Sequence, residues 1–311
     1  ESNVQMAKFA SMRPSDDRAI AFNKNPDYLP KILEKGKKFN IQNLGFNTKY
    51  SDFGPMYYKD KLVYSSAIDS SNYHTRIYHW NEQPFLNMYL GELNKIESDL
   101  KLIDAFSDKL NTRYHEATLA FSPDETKVYF TRNNYNGDLQ RDAKGTNHLK
   151  LYSAELRKDE DSLPTWQNIK ELPFNSEDYS VGHPTVSKDG KLLYFVSDMP
   201  GSIGATDIFV VDIQQNNKDS LSVTYSKPRN LGEGINTAGR EMFPYITNSS
   251  LYFASDGYLG LGGLDVFVAD IKGSNSFGEV FNLGRPINSP QDDFGYYENL
   301  GTNEGFFFSN R

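Results

Sequence analysis

A chain of 311 residues with 20 Tyr, 21 Phe, 2 Trp, 23 Gly and 14 Pro is rich in strand and turn residues, and it is long enough to bury a large core. Lysine and arginine number 33 against 41 aspartate and glutamate; the net charge of −8 argues against nucleic acid or an anionic membrane as the main partner. The absence of cysteine excludes disulfides, thiol catalysis and thiolate zinc sites, and no apolar run approaches the roughly 18 residues that span a bilayer.

Residues 1–38 read as a linker or helical lead-in, with helix formers at 16–21 and 27–38 punctuated by Pro14, Pro26 and Pro30. From residue 39 the chain repeats. An apolar strand ending in small polar residues recurs at 61–66, 127–132, 192–198, 250–256 and 305–310. Aligning Ser65, Thr131, Ser197, Ser255 and Ser309 gives steps of 66, 66, 58 and 54 residues. Each repeat opens with an earlier strand (55–58, 117–121, 184–187, 243–247, 294–298), and four continue into a third (86–90, 149–154, 207–212, 265–270).

Fourth strands end in a second signature: Asn230-Leu-Gly-Glu-Gly-Ile-Asn-Thr237, Asn282-Leu-Gly-Arg-Pro-Ile-Asn-Ser289, Asn43-Leu-Gly-Phe-Asn-Thr48, and looser versions at 108–112 and 171–176. Four short strands per repeat mark a β-propeller, because one such sheet cannot bury both faces alone. The copy at 43–48 has no strands before it, and the repeat opening at Phe294 is incomplete. A strand at 39–45 is therefore expected to complete the last blade and remove a free edge. The predicted fold is all-β: a five-bladed β-propeller of four-stranded antiparallel sheets over 39–311, with six blades as the alternative.

The segments Leu193-Tyr-Phe-Val-Ser-Asp198, Gly204-Ala-Thr-Asp-Ile-Phe209, Gly262-Gly-Leu-Asp-Val-Phe267 and Asn282-Leu-Gly-Arg-Pro-Ile-Asn288 resemble the WD40-like (PD40-type) repeat of TolB propellers. More narrowly, the chain is similar to the propeller of Bacteroidetes OmpA-family envelope proteins, which include a type IX secretion system component. The resemblance implies a non-enzymatic interaction scaffold, periplasmic and outer-membrane associated. Its partners would be envelope or secretion-system proteins, with peptidoglycan reached only through a domain outside this sequence. Two Asp-Ser-Leu triplets, at 161–163 and 219–221, resemble an O-glycosylation sequon of such proteins, making Ser162 and Ser220 candidate acceptors.

Five residues after the signature asparagine stands an acid: Asn47 leads to Asp52, Asn111 to Glu116, Asn236 to Glu241 and Asn288 to Asp293, with His183 taking the place before an opening strand. These five residues are the candidate binding site, a ring at the channel mouth able to hold a divalent cation or a basic peptide. The alternative is structural, each carboxylate accepting hydrogen bonds from its own loop. No other cofactor is expected. No His-Glu-x-x-His or Gly-x-Ser-x-Gly motif is present, and the glycine loop at 257–263 joins strand to strand. Tyr78, Trp80 and Phe85, in a long first-blade loop, are candidate docking residues. The runner-up function is a five-bladed glycoside hydrolase or lectin-like propeller, with two of the acids serving as acid and base.

Overall fold

The computed structural model describes residues 2–35, 39–68, 76–94, 99–216, 219–273, 276–299 and 301–311. Three helices come first: α1 (Ser2–Met12), α2 (Asp17–Lys24) and α3 (Tyr28–Lys35). Asp16 caps α2 by accepting the Arg18 N–H at 3.0 Å, which satisfies a donor that the first turn leaves unpaired. Ala10, Ala19, Phe22 and Tyr28 form a small core with Met6, Phe9 and Leu259 packed against it. The segment is thus built around its own apolar cluster, and α1 was not anticipated.

The rest is strand, in small antiparallel sheets of β-propeller type. The first sheet orders β1 (Asp52–Tyr58), β2 (Lys61–Ser66), β5 (Asn87–Asn94) and β6 (Asp99–Ala105). A separate hairpin of β3 (Ile77–Tyr78) and β4 (Gln83–Pro84) projects between β2 and β5. The second sheet holds β7 (Glu116–Phe121), β8 (Lys127–Asn133), β9 (Leu149–Lys158) and β10 (Pro164–Glu171) in sequence order. The third orders β11 (Val181–Val186), β12 (Leu192–Ser197), β13 (Asp207–Asn216) and β14 (Asp219–Tyr225), with β15 (Arg229–Asn230) beside β13. The fourth holds β16 (Glu241–Ile246), β17 (Ser250–Ser255), β18 (Asp265–Gly273) and β19 (Ser276–Asn282), and a two-stranded pair, β20 (Asp293–Asn299) and β21 (Glu304–Ser309), follows.

Among the described residues four complete blades, rather than the expected five or six, are therefore present. The fifth repeat contributes only β20 and β21, and the described residues from 39 to 51 form no strand. Residues 40–43 are exposed in succession, without the alternating burial that would hold them in a ladder. Two side chains anchor the segment: the Phe39 ring meets Tyr296 edge-on, 6.4 Å between centroids, and the Phe46 ring meets Tyr64 at 5.2 Å.

Second strands carry the core. Leu62–Tyr64, Val128–Phe130, Leu193–Val196 and Leu251–Phe253 are buried along consecutive residues, as strands covered on both faces must be. First strands share a different feature. Their third residues are Gly54, Thr118, His183, Phe243 and Gly295, with φ of 71, 37, 51, 50 and 62°. Register breaks accompany this left-handed residue in β1, β7, β16 and β20, the geometry of a β-bulge.

Two compact units divide the chain. Glu1–Ile41, Val196–Val210 and Arg229–Arg311 include the helices and the fourth sheet, with Tyr252, Val266, Leu283, Ile287 and Tyr296 at one core. Gln42–Phe195 and Val211–Pro228 include the first two sheets, around Val63, Met88, Leu119, Phe130, Tyr152 and Trp166. Among the described residues no helix is long and apolar enough to cross a membrane.

Candidate functional site

The blade-end signature proves to be a two-part clamp. Its asparagine binds the third strand of the blade it leaves. Asn111 accepts the Met88 N–H at 2.9 Å and donates to the Met88 carbonyl at 3.0 Å. Asn175 does the same to Leu151, Asn236 to Ile208 and Asn288 to Val266. A side-chain amide matches the donor and acceptor of one backbone residue, so it extends the ladder by one rung.

The acid five residues on closes the loop that follows. Asp52 accepts from the Thr48 N–H and hydroxyl at 2.6 and 2.8 Å, and from the Ser66 hydroxyl. Glu116 takes the Thr112 N–H and hydroxyl at 2.9 and 2.5 Å and stands 3.3 Å from Arg132 Nε. Glu241 takes the Thr237 N–H and hydroxyl at 2.8 and 2.6 Å and the Ser255 hydroxyl at 2.7 Å. Asp293 takes the Ser289 N–H at 2.5 Å and Arg311 Nη2 at 2.7 Å. Glu116, Glu241 and Asp293 have no solvent exposure. Burial raises the pKa of Glu116 to about 7 and lifts that of Glu241, against the donors that favour the ionised forms. Among the described residues no group of three or more His, Asp or Glu is placed to hold a metal ion.

His183 does not occupy the position of the acids. The opening strand begins at Val181, so Val181 aligns with Asp52, Glu116, Glu241 and Asp293, and His183 is the left-handed third residue. Its N–H donates to Thr131 Oγ1 at 2.9 Å, and burial lowers the imidazole to about 4. Ser162 is exposed in the turn between β9 and β10, and Ser220 lies in β14. Asp207 and Asp265 cap their lead-in turns. Asp207 accepts from the N–H groups of Ile203 and Gly204, and Asp265 from those of Leu261 and Gly262. In the second sheet Lys150 takes that position and pairs instead with Glu171 and Glu177, at 3.1 and 2.6 Å.

Two clusters remain outside this frame, both in the second unit. The β3–β4 hairpin presents Trp80, 84% exposed, and Ile77, 47% exposed. Its base is tied down where Gln83 Oε1 accepts from the Ser51 N–H and hydroxyl at 2.9 and 2.8 Å. Tyr78 and Phe85 pack on the His115 ring at 4.7 and 4.6 Å, and the Arg76 guanidinium lies over Tyr114 at 4.5 Å. Burial holds His115 near 4, and its Nδ1 accepts the Leu86 N–H at 3.2 Å, so it serves as a neutral spacer.

The second cluster joins three residues that sequence spacing does not relate. His148 Nε2 lies 3.1 Å from Asp142 Oδ2, and its Nδ1 lies 3.3 Å from Ser180 Oγ. With a neutral ring, Nε2–H donates to the carboxylate and Nδ1 accepts the serine proton, a hydroxyl–imidazole–carboxylate relay. Ser180 Oγ also accepts the Leu149 N–H at 3.2 Å.

No protein-family model matches the chain, and no curated protein does. Solved structures similar to it include TolB from Acinetobacter baumannii, at 17% identity and TM-score 0.44, covering 84% of this chain and 52% of TolB. The chain thus spans about half the length of that protein. They also include an endo-arabinase from Bacteroides thetaiotaomicron, at 12% identity and TM-score 0.44, covering 81% of this chain and 86% of the enzyme. A third is the β-1,3-galactosidase BT3683, at 9% identity and TM-score 0.45, covering 82% of this chain and 84% of the enzyme. These likenesses fix neither ligand nor activity. They do correct one expectation. Glycosidases stand beside TolB among the similar structures, so the assignment of the chain as a non-enzyme is withdrawn.

Proposed function

We propose that the chain is a protein-interaction domain of a periplasmic, outer-membrane-associated protein, with envelope or type IX secretion components as its partners. The observation that carries this reading is the β3–β4 hairpin. It places the most exposed large apolar side chain named among the described residues, Trp80, on a base that packing and hydrogen bonds hold still. Loops raised on a rigid sheet are the usual sites of recognition.

Cross-linking of the whole protein in its native envelope tests this. A discrete adduct with one or a few envelope proteins is expected, and its absence would sink the reading. A second reading, hydrolysis, is favoured by the Asp142–His148–Ser180 relay. Labelling of Ser180 by a fluorophosphonate, lost in His148→Ala, would promote that reading over the first.

A further inference from the structure

Resting on the interaction reading, we propose that the β3–β4 hairpin and the two loops beside it form a docking surface for an acidic protein segment that carries an apolar anchor residue. Charge argues for the acid. The loops beside the hairpin are successive copies of one motif, Asn47-Thr-Lys-Tyr50 and Asn111-Thr-Arg-Tyr114. Each puts a cation before a tyrosine. The first loop reaches the hairpin through Ser51, bonded to Gln83, and the second through Tyr114, whose ring lies 5.5 Å from Phe85.

Among the described residues the surface therefore carries the exposed cations Lys49, Arg76 and Arg113 against the exposed carboxylate of Glu82, on a chain whose net charge is −8. None of the three cations has a carboxylate partner among the described residues. Lys49 lies over the Tyr50 ring at 5.0 Å, and Arg76 lies over Tyr114 and donates to its hydroxyl at 3.0 Å. A local positive field on an acidic protein attracts an acidic partner and repels a basic one.

Shape and composition argue for a protein rather than a sugar. Trp, Tyr and Arg are the residues that dominate protein interfaces. Ile77, exposed on the same hairpin as Trp80, adds an aliphatic surface that would leave a saccharide's hydroxyls without hydrogen bonds and that an apolar side chain would cover. The turn is ordered before any partner arrives: the Glu82 N–H bonds the Tyr78 carbonyl at 2.9 Å, and the Gln83 N–H bonds Asn81 Oδ1 at 3.2 Å. Little loop entropy is then lost on docking.

The test is a phage-displayed dodecapeptide library panned on the whole chain, followed by affinity measurement with the enriched peptides. The expected result is enrichment of sequences with Asp or Glu flanking Leu or Phe. Their binding should weaken at least tenfold in Trp80→Ala and in the Arg76→Gln/Arg113→Gln double variant, and at least tenfold between 20 and 300 mM salt. Leu163→Ala, which removes another exposed apolar side chain of the same unit, should leave binding unchanged. The proposal is overturned by three results: no enrichment of acidic sequences, binding that survives Trp80→Ala in a variant that melts like the parent, or tighter binding of a hexagalacturonate probe through the same residues. An envelope adduct that forms equally with Trp80→Ala would refute this surface alone and leave the interaction reading standing.

Discussion

At Glu116 two effects oppose each other. The Thr112 N–H, the Thr112 hydroxyl and Arg132 favour the ionised carboxylate, while complete burial penalises it, and burial wins, with the pKa near 7. A carboxyl raised on folding contributes stability that is fully present below its unfolded pKa, near 4.5, and lost as pH rises through about 7. Asp265, raised to about 6, acts in the same direction. His115 and His183, lowered to about 4, act in the opposite one: what they contribute is present above their usual 6.5 and lost as pH falls toward 4. The total profile is therefore a compromise, and only a difference isolates Glu116. Urea unfolding of the parent and Glu116→Gln, compared from pH 4.5 to 7.5, should show the parent losing up to about 3 kcal/mol more than the variant. Parallel profiles would mean that Arg132 holds the carboxylate ionised throughout.

Among the elements, the asparagine clamps matter most, because each satisfies two groups of one buried strand residue. In Asn236→Ala the Ile208 N–H loses its partner in a place with no exposure, while the Ile208 carbonyl keeps the Leu231 N–H at 3.1 Å. A loss of about 1–3 kcal/mol is expected from one such group, read from the denaturation midpoint. The bulges set a different limit. Thr118 shows that a side chain can stand at the left-handed position, its hydroxyl 2.8 Å from that of Thr131. At Gly295 a Cβ would lie 2.1 Å from Phe308 Cδ2, so Gly295→Ala should cost more than about 2 kcal/mol and Gly54→Ala less. Equal effects would mean that backbone strain, rather than the Phe308 ring, decides.

The same elements show what the sequence could and could not reveal. Second strands were legible because both of their faces are buried, which leaves unbroken apolar runs such as Leu-Tyr-Phe at 193–195 and 251–253. The Asn-to-acid spacing was legible because the four copies that carry an acid, Asp52, Glu116, Glu241 and Asp293, solve the same hydrogen-bonding problem. First strands were read from one to three residues late, since the bulge breaks the period of two, and that displacement carried His183 to the wrong equivalence. The Asp142–His148–Ser180 relay was invisible, because one hydroxyl reaches it from a loop 32 residues further on.

For the molecule as a whole, a test decides what residues 39–43 contribute. A strand completing the last sheet would stabilise through a row of backbone hydrogen bonds, and its loss would be spread over many residues. The described segment offers instead one aromatic anchor, Phe39, against a cluster of Tyr252, Val266, Leu283, Ile287 and Tyr296. Point substitution separates these cases. If the anchor is what matters, Phe39→Ala should cost about 1–3 kcal/mol, since Phe39 is only half buried. Deleting residues 1–35, which keeps the anchor, should remove the cover that Phe22, Tyr28 and their neighbours give Leu259, together with the Arg18 bond to the Asp256 carbonyl at 3.3 Å, and little else. Thermal melts would then rank Phe39→Ala as at least as damaging as that truncation. If Phe39→Ala melts like the parent while Ile41→Pro and Asn43→Pro, which break a ladder without touching the anchor, are strongly destabilised, a backbone ladder closes the sheet and the single-anchor account fails.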